Sequence, residues 1–176
     1  LVNMPGVENF DLLSMKAMAY GASPMPEAVI RRAMAIIPDC DFYHAYGQTE
    51  AAPLVTAYSP YCHVFDGEHA NMYRAAGLPA VGVEVKIVDK DDNELPRGEV
   101  GEIVVRGPNI MLGYSRKPEL SAKALRGGWM HSGDGGYMDE RGFVFIVDRM
   151  KDMVISGGEN IYSAEVEDAL YQYCLL

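Results

Sequence analysis

The chain has 176 residues, 49% of them hydrophobic, with 18 glycines, 10 prolines and a formal net charge of −10. This length and composition fit one globular domain with a real core, or a piece of something larger. The acidic balance argues against a nucleic-acid surface, which needs clustered Lys and Arg, and no apolar run approaches the roughly 20 residues that span a bilayer.

Residues 12–20 read as a strand leading into the turn "YGASPMP". A helix is predicted from Pro26 to Ile37, with proline suited to its first turn and Val29, Ile30, Ala33 and Ile37 on one face. "DFYHAY" is a second strand, and it runs into "HAYGQTEAAP". Strand, helix, strand is the unit of a parallel sheet, and ligands bind at the carboxyl ends of its strands. Both "YGASP" and "YGQTE" fall at such ends. From about Leu78 to Val147 strand signals dominate: "VEVKIVD" alternates, "DKDDNE" turns and "GEIVVRG" continues. "YMDERGFVFIV" predicts a hairpin, with Gly142 free to take a positive φ. Short antiparallel strands of this kind predict a small barrel or a distorted sheet. A third region starts at "DRMKDMVISGGEN" and enters a helix that Ser163 can cap. Glu165 and Glu167 favour its positive end, and Val166, Leu170 and Tyr173 share one apolar face. Nothing after that face supplies a surface for it, so the chain reads as a fragment.

Cys40, Cys62 and Cys174 cannot all pair and show no CxxC spacing, which predicts a reducing, cytoplasmic setting. The opening "LVNMPGVENF" lacks the basic start and apolar stretch of a signal peptide. Cys40, His44, Cys62, His63 and His69 match none of the usual zinc patterns; a buried thiol and scattered histidines is the preferred reading.

The turn motifs ask for a chemical explanation. A nucleotide needs a surface for its base, partners for the ribose hydroxyls, donors for phosphates and a carboxylate for magnesium. Gly21, Ala22 and Ser23 have no bulky side chain and let a base approach the backbone. Tyr46 offers a stacking face. The Thr49 hydroxyl can donate to a phosphate oxygen, and Glu50 is a hard oxygen ligand for Mg²⁺. Asp134 in "HSGD" is an acceptor-only carboxylate suited to a pair of ribose hydroxyls, and Arg149 adds a charged fork. Taken singly, a YG or GD dipeptide is usually only a turn.

Five motifs in one order change that judgement. "YGASPMP", "YGQTE", "GEIVVRGPNIMLGY", "GWMHSGDGGYMDERGFVFIVDR" and "RMKDMVISGGENIYSAEVE" together resemble the adenylate-forming superfamily of acyl-CoA synthetases, luciferases and peptide-synthetase adenylation domains. The resemblance covers essentially the whole chain. It implies an α/β, mixed α+β, fold: part of an AMP-binding lobe over residues 1–77, a strand-rich β-barrel subdomain over 78–150, and a hinge with the start of a C-terminal domain over 151–176. It implies that Gly21, Ala22, Ser23 and Tyr46 hold adenine, with His44 or the Ala45 backbone near its amino group. Gly47 and Gln48 belong to the same nucleotide-binding stretch. Thr49 would meet the α-phosphate, Glu50 the magnesium, and Asp134 and Arg149 the ribose. Lys151 takes the hinge position, Gly158 lines a channel for a thiol arm, and Asn160 lies near the nucleotide.

The implied reaction joins a carboxylic acid to ATP, releases pyrophosphate and passes the acyl group to CoA. "KDMVISGGENIY" is similar to fatty-acyl and aryl-acyl CoA ligases rather than to peptide-synthetase domains. Ala45, Pro53 and Leu54, all apolar, would lie near the acyl pocket, which favours a medium- or long-chain fatty acid over an aryl acid such as a cinnamate. The family's Ser/Thr/Gly-rich phosphate loop and distal lysine are not in these 176 residues, so the isolated chain is expected to be inactive. Ser163 stands where the family commonly has proline. A rival class, a nucleotide-binding module without turnover, stays open at this point.

Overall fold

The computed structural model describes residues 2–22, 25–67 and 72–150, the backbone of 154–156 and 159–161, and helical positions 166, 169 and 170. The first strand, β1 (Ala17–Gly21), lies parallel to β2 (Asp41–Gly47), with Ala17 opposite Asp41 and Gly21 opposite Ala45. The crossover between them is α1 (Glu27–Ile36), whose apolar stripe buries Ile30 and Ala33. A Glu27–Arg31 pair one turn apart supports its exposed side. Pro38 follows Ile37 and disfavours helical backbone there, so the helix stops. The expected strand over residues 12–20 is shorter in fact. Asp11 Oδ1 accepts the Leu13 N–H and Leu12 O the Met15 N–H, and this turn takes the first residues out of the strand.

Two further strands complete the first sheet antiparallel: β3 (Leu54–Tyr58) against β2, and β4 (Leu78–Pro79) against β3. The second sheet is an antiparallel meander of β5 (Glu84–Val88), β6 (Gly101–Arg106), β7 (Met130–Met138) and β8 (Val144–Arg149). Its turns follow from their side chains. Asp89 Oδ1 accepts from the Asp91 and Asn93 N–H groups. Asp139 Oδ1 does the same for Arg141 and Phe143, with Gly142 at φ 87° as the hairpin requires. Between β6 and β7 lies the short helix α2 (Pro118–Ala124).

Among the described residues this sheet is open, which corrects the expected small barrel. Closure would need β8 to pair with β5; instead the start of β8 pairs with the first sheet. Val144 N–H donates to Gly77 O, and Ala76 N–H donates to Val144 O. One apolar cluster spans the seam: Tyr46 and Val55 from the first sheet, with Ala51 from the turn between them, pack with Ile87, Ile103, Val105, Met130, Met138 and Val144 from the second. It draws residues from both sides of position 78. Beyond Arg149, β9 (Val154–Ser156) and β10 (Glu159–Ile161) form an antiparallel ribbon. Val166 and Leu170 of the helical stretch are exposed, whereas Ser163 and Tyr173 lie outside the described residues.

Candidate functional site

The site gathers where β2 of the first sheet meets β7 and β8 of the second. Tyr46 sits near the end of β2 with 8% of its surface exposed, and its hydroxyl donates to Asp134 Oδ2 at 2.7 Å. Asp134 lies on β7 directly opposite Arg149 on β8, whose Nε is 3.7 Å from the other carboxylate oxygen. The Asp134 side chain is 15% exposed and that of Arg149 is 64% exposed, so one face of the pair is open. Ser132 Oγ donates to Ile103 O at 2.6 Å and accepts the Asp134 N–H at 3.0 Å, which fixes the backbone beneath the carboxylate. Burial, and then the adjacent Asp134 charge, push the Tyr46 phenol well above its ordinary range. It is therefore a neutral donor at any physiological pH. Tyr46, Asp134 and Arg149 are thus brought together, by a hydrogen bond on one side of the carboxylate and an ion pair on the other.

Tyr46 leads straight into the turn that carries Thr49 and Glu50. Residues Thr49–Ala51 form one 3₁₀ turn, closed by Ala51 N–H to Gln48 O and Ala52 N–H to Thr49 O. A Cβ at Gly47 would overlap the Pro53 carbonyl, so only glycine lets β2 and β3 converge there. Thr49 is exposed and Glu50 half-buried. Gln48 Nε2 points its amide at Met130 Sδ, 3.6 Å away on β7.

A second loop, after β6, lies against this turn. Met111 N–H donates to Glu50 O at 2.8 Å, and Asn109 Nδ2 donates to Ala51 O and Leu54 O at 2.7 and 2.8 Å. The Tyr114 hydroxyl donates to Glu50 Oε1 at 2.7 Å. Sequence reasoning did not assign Tyr114, Asn109 or Ser132. "GPNIMLGY" was visible as a motif, but no local spacing links Tyr114 to a carboxylate 64 residues away.

On the β1 side, Gly21 packs so closely on β2 that a Cβ would overlap the Ala45 carbonyl. Strand pairing alone therefore demands glycine at this position. Ala22 follows at φ 69°, a left-handed turn residue. His44 stacks on Tyr20 with ring centroids 4.8 Å apart, and its Nδ1 is 3.2 Å from Ala75 O. Asn160 stands on β10 opposite Ile155. Ser23, Lys151 and Gly158 lie outside the described residues.

These donors and acceptors are those a nucleotide and its metal would use. Asp134 is an acceptor held open on one side. Glu50 keeps its Oε2 without a protein partner among the described residues, where no cluster of three or more His, Cys, Asp or Glu could hold a metal unaided. Such a site fits Mg²⁺, which takes one or two carboxylates and completes its shell with phosphate oxygens and water.

Comparison with known proteins identifies the family. The model described as AMP-binding enzyme matches residues 1–115. The chain belongs to that family. It is 43% identical over 170 residues to a feruloyl-CoA synthase of Amycolatopsis sp, covering 96% of this chain and 33% of that protein. It is 40% identical over 170 residues to the fatty acid–[acyl-carrier-protein] ligase ScoC of Streptomyces coeruleorubidus, covering 97% of this chain and 32% of the other. Among solved structures it is similar to the O-succinylbenzoate coenzyme A synthetase MenE of Bacillus subtilis in complex with ATP and magnesium. That match has a TM-score of 0.80 and 32% identity over 94% of this chain and 33% of the other. The chain thus spans about a third of the length of these relatives. Among the described residues no helix is long and apolar enough to cross a membrane.

Proposed function

We propose that this chain is the nucleotide-binding part of an AMP-forming acid–thiol ligase, with the whole protein activating a medium- or long-chain fatty acid and passing it to CoA. The observation that carries the reading is the Asp134 carboxylate, held by Tyr46 and opposite Arg149, immediately beside the strand that delivers Thr49 and Glu50.

In this reading Asp134 accepts hydrogen bonds from the ribose hydroxyls, and Arg149 borders the same edge. Tyr46 both orients Asp134 and offers its ring to adenine, with Gly21, Ala22, Ser23, His44, Ala45, Gly47 and Gln48 around the base. Thr49 donates to an α-phosphate oxygen. Glu50 would hold Mg²⁺, whose charge would offset the repulsion between two anionic reactants. A substrate carboxylate oxygen then bonds to the α-phosphorus as the bond to pyrophosphate breaks. In the second half-reaction the thiol gives up its proton to water and its sulfur bonds to the acyl carbon as the bond from that carbon to the AMP oxygen breaks. Two demands on one site favour a moving domain. Residues 1–77, 78–150 and 151–176 are assigned as lobe, strand-rich subdomain and hinge with the start of a C-terminal domain, with Lys151 as hinge, Gly158 in the thiol channel and Asn160 near the nucleotide.

An aryl acid is the second reading, favoured by the similarity to a feruloyl-CoA synthase. Acid-dependent exchange of pyrophosphate into ATP, run on the full-length protein with saturated fatty acids and hydroxycinnamates, separates the two. We expect exchange with fatty acids, followed by thioester formation on adding CoA. Exchange with hydroxycinnamates alone selects the second reading, and no acid-dependent exchange with any acid overturns the assignment.

A further inference from the structure

The Glu50 turn is held from outside by one loop at two levels. Its backbone is fixed by Met111 N–H on Glu50 O and by Asn109 Nδ2 on Ala51 O and Leu54 O. Its carboxylate is fixed by the Tyr114 hydroxyl on Oε1. Tyr114 is itself anchored: its N–H donates to Ser121 Oγ at 2.8 Å, and Ser121 Oγ donates to Lys117 O at 2.8 Å in the first turn of α2. Gly113 before it has φ 146°, and a Cβ there would sit 2.9 Å from Ser121 Oγ, so the loop closes on α2 only with glycine. The hydrogen bond to Glu50 is also the first cause that raises the Tyr114 phenol above its ordinary range.

We infer that Tyr114 is a positioning residue for the metal carboxylate. Its phenol engages Glu50 Oε1 and fixes the carboxylate rotamer while Oε2 stays free for Mg²⁺. The inference rests on the assignment of Glu50 as the magnesium ligand. A phenol suits the task because it orients a carboxylate without cancelling its charge, as an arginine or lysine in that place would. Donors to ligating carboxylates raise metal affinity by restricting the ligand's rotation, and their loss costs roughly 10–100-fold in affinity or activity. Ser121 and Gly113 serve the same end at one remove.

The test measures ATP binding to the full-length protein by calorimetry, once with Mg²⁺ and once with a chelator, and takes the ratio of the two dissociation constants as the metal increment. Tyr114→Phe should lower that increment about tenfold and leave metal-free ATP binding unchanged, since only a hydroxyl outside the nucleotide contacts is lost. Glu50→Gln should lower it at least as far, and adding Tyr114→Phe to Glu50→Gln should do nothing more. Leu112→Ala, on a fully exposed side chain of the same loop, should match the unaltered protein. A normal increment in Tyr114→Phe beside a reduced one in Glu50→Gln overturns the positioning role alone. An increment raised by Tyr114→Phe would make the phenol a competitor of the metal and also overturns it. Equal losses from Tyr114→Phe in both backgrounds show that it acts elsewhere. A normal increment in Glu50→Gln removes the metal assignment itself. If Tyr114→Phe does not fold, Ser121→Ala, which frees the Tyr114 backbone, answers the same question with a smaller expected loss.

Discussion

At the scale of single residues, the carboxylate of Asp134 depends on one buried hydroxyl. Tyr46→Phe removes the donor to Oδ2 and keeps the ring, so a stacking role survives while Asp134 loses its orientation. Hydrogen bonds to charged groups contribute about 1.5–3 kcal/mol. In the full-length protein kcat/KM for ATP should therefore fall about tenfold or more, with kcat/KM for the acid at saturating ATP changed much less. Asp134→Ala should fall further, because on the proposed assignment it removes the acceptor for the ribose itself. Equal losses toward ATP and acid would show that the pair supports the fold rather than the nucleotide. Tyr46, Asp134 and Arg149 were legible because each sits in a short motif. Their union was not: no pattern states that a tyrosine on one sheet bonds an aspartate 88 residues later. Gly21 shows the opposite limit, since the close approach read as room for a base is already required by the Ala45 carbonyl.

At the scale of elements, the parallel pair β1–β2 and its helix were legible from periodicity and proline, and the Gly142 hairpin from its turn residues. Strand β3 was not, because "LVTAY" is a short apolar run between prolines with no alternation to declare it. The elements of the first sheet enclose a ring cluster with its own pH signature. The Tyr20 hydroxyl is 2.8 Å from His63 Nε2, and His63 Nδ1 is 3.0 Å from Pro60 O. A carbonyl can only accept, so Nδ1 carries the proton and Nε2 accepts from Tyr20 in a neutral ring. Tyr58 and Phe42 pack edge-on against it, and His44 stacks on Tyr20. Burial lowers the affinity of both His44 and His63 for a proton, and for His44 the neighbouring His63 lowers it further. The unfolded chain then binds more protons than the folded one once pH drops below the ordinary histidine value of 6.5. Stability should be full above that point and decline as pH falls toward about 5, ahead of the carboxylates. Melting temperatures across this window should drop for the unaltered protein and drop less for His63→Phe. A flat profile, or the same slope in the variant, would mean that the cluster is not neutral when folded.

At the scale of the molecule, the site exists only because two sheets share one core, and this was the least legible feature. The composition of each strand-rich stretch fitted a self-contained barrel as well as an open sheet. What decided between them is a pairing of Val144 with Gly77, 67 positions apart in the numbering, and pairings at that distance leave no periodic trace. Gly77 is the weak point of the seam. Its φ is 115°, and a Cβ there would overlap the Ala57 carbonyl on β3, so Gly77→Ala pushes the backbone before β4 away from β3 and disturbs its pairing with Val144 at the start of β8. Strain at such backbone positions costs on the order of 1–3 kcal/mol, which lowers the melting temperature of a protein of this size by several degrees. The sharper expectation concerns cooperativity. Trp129 is the chain's single tryptophan and lies beside the second sheet, with Lys86 and Arg106 over its ring at 5.0 and 4.4 Å. Gly77, by contrast, belongs to the edge of the first. If the apolar cluster from Tyr46 to Val144 is one core, the substitution should shift the Trp129 fluorescence transition and the far-ultraviolet transition of this chain together. It should also weaken ATP binding in the full-length protein, because the Tyr46–Asp134 bond crosses the same seam. A Trp129 transition that stays in place while the far-ultraviolet one moves would show two independent sheets, and the site would then need some other element to hold its halves together.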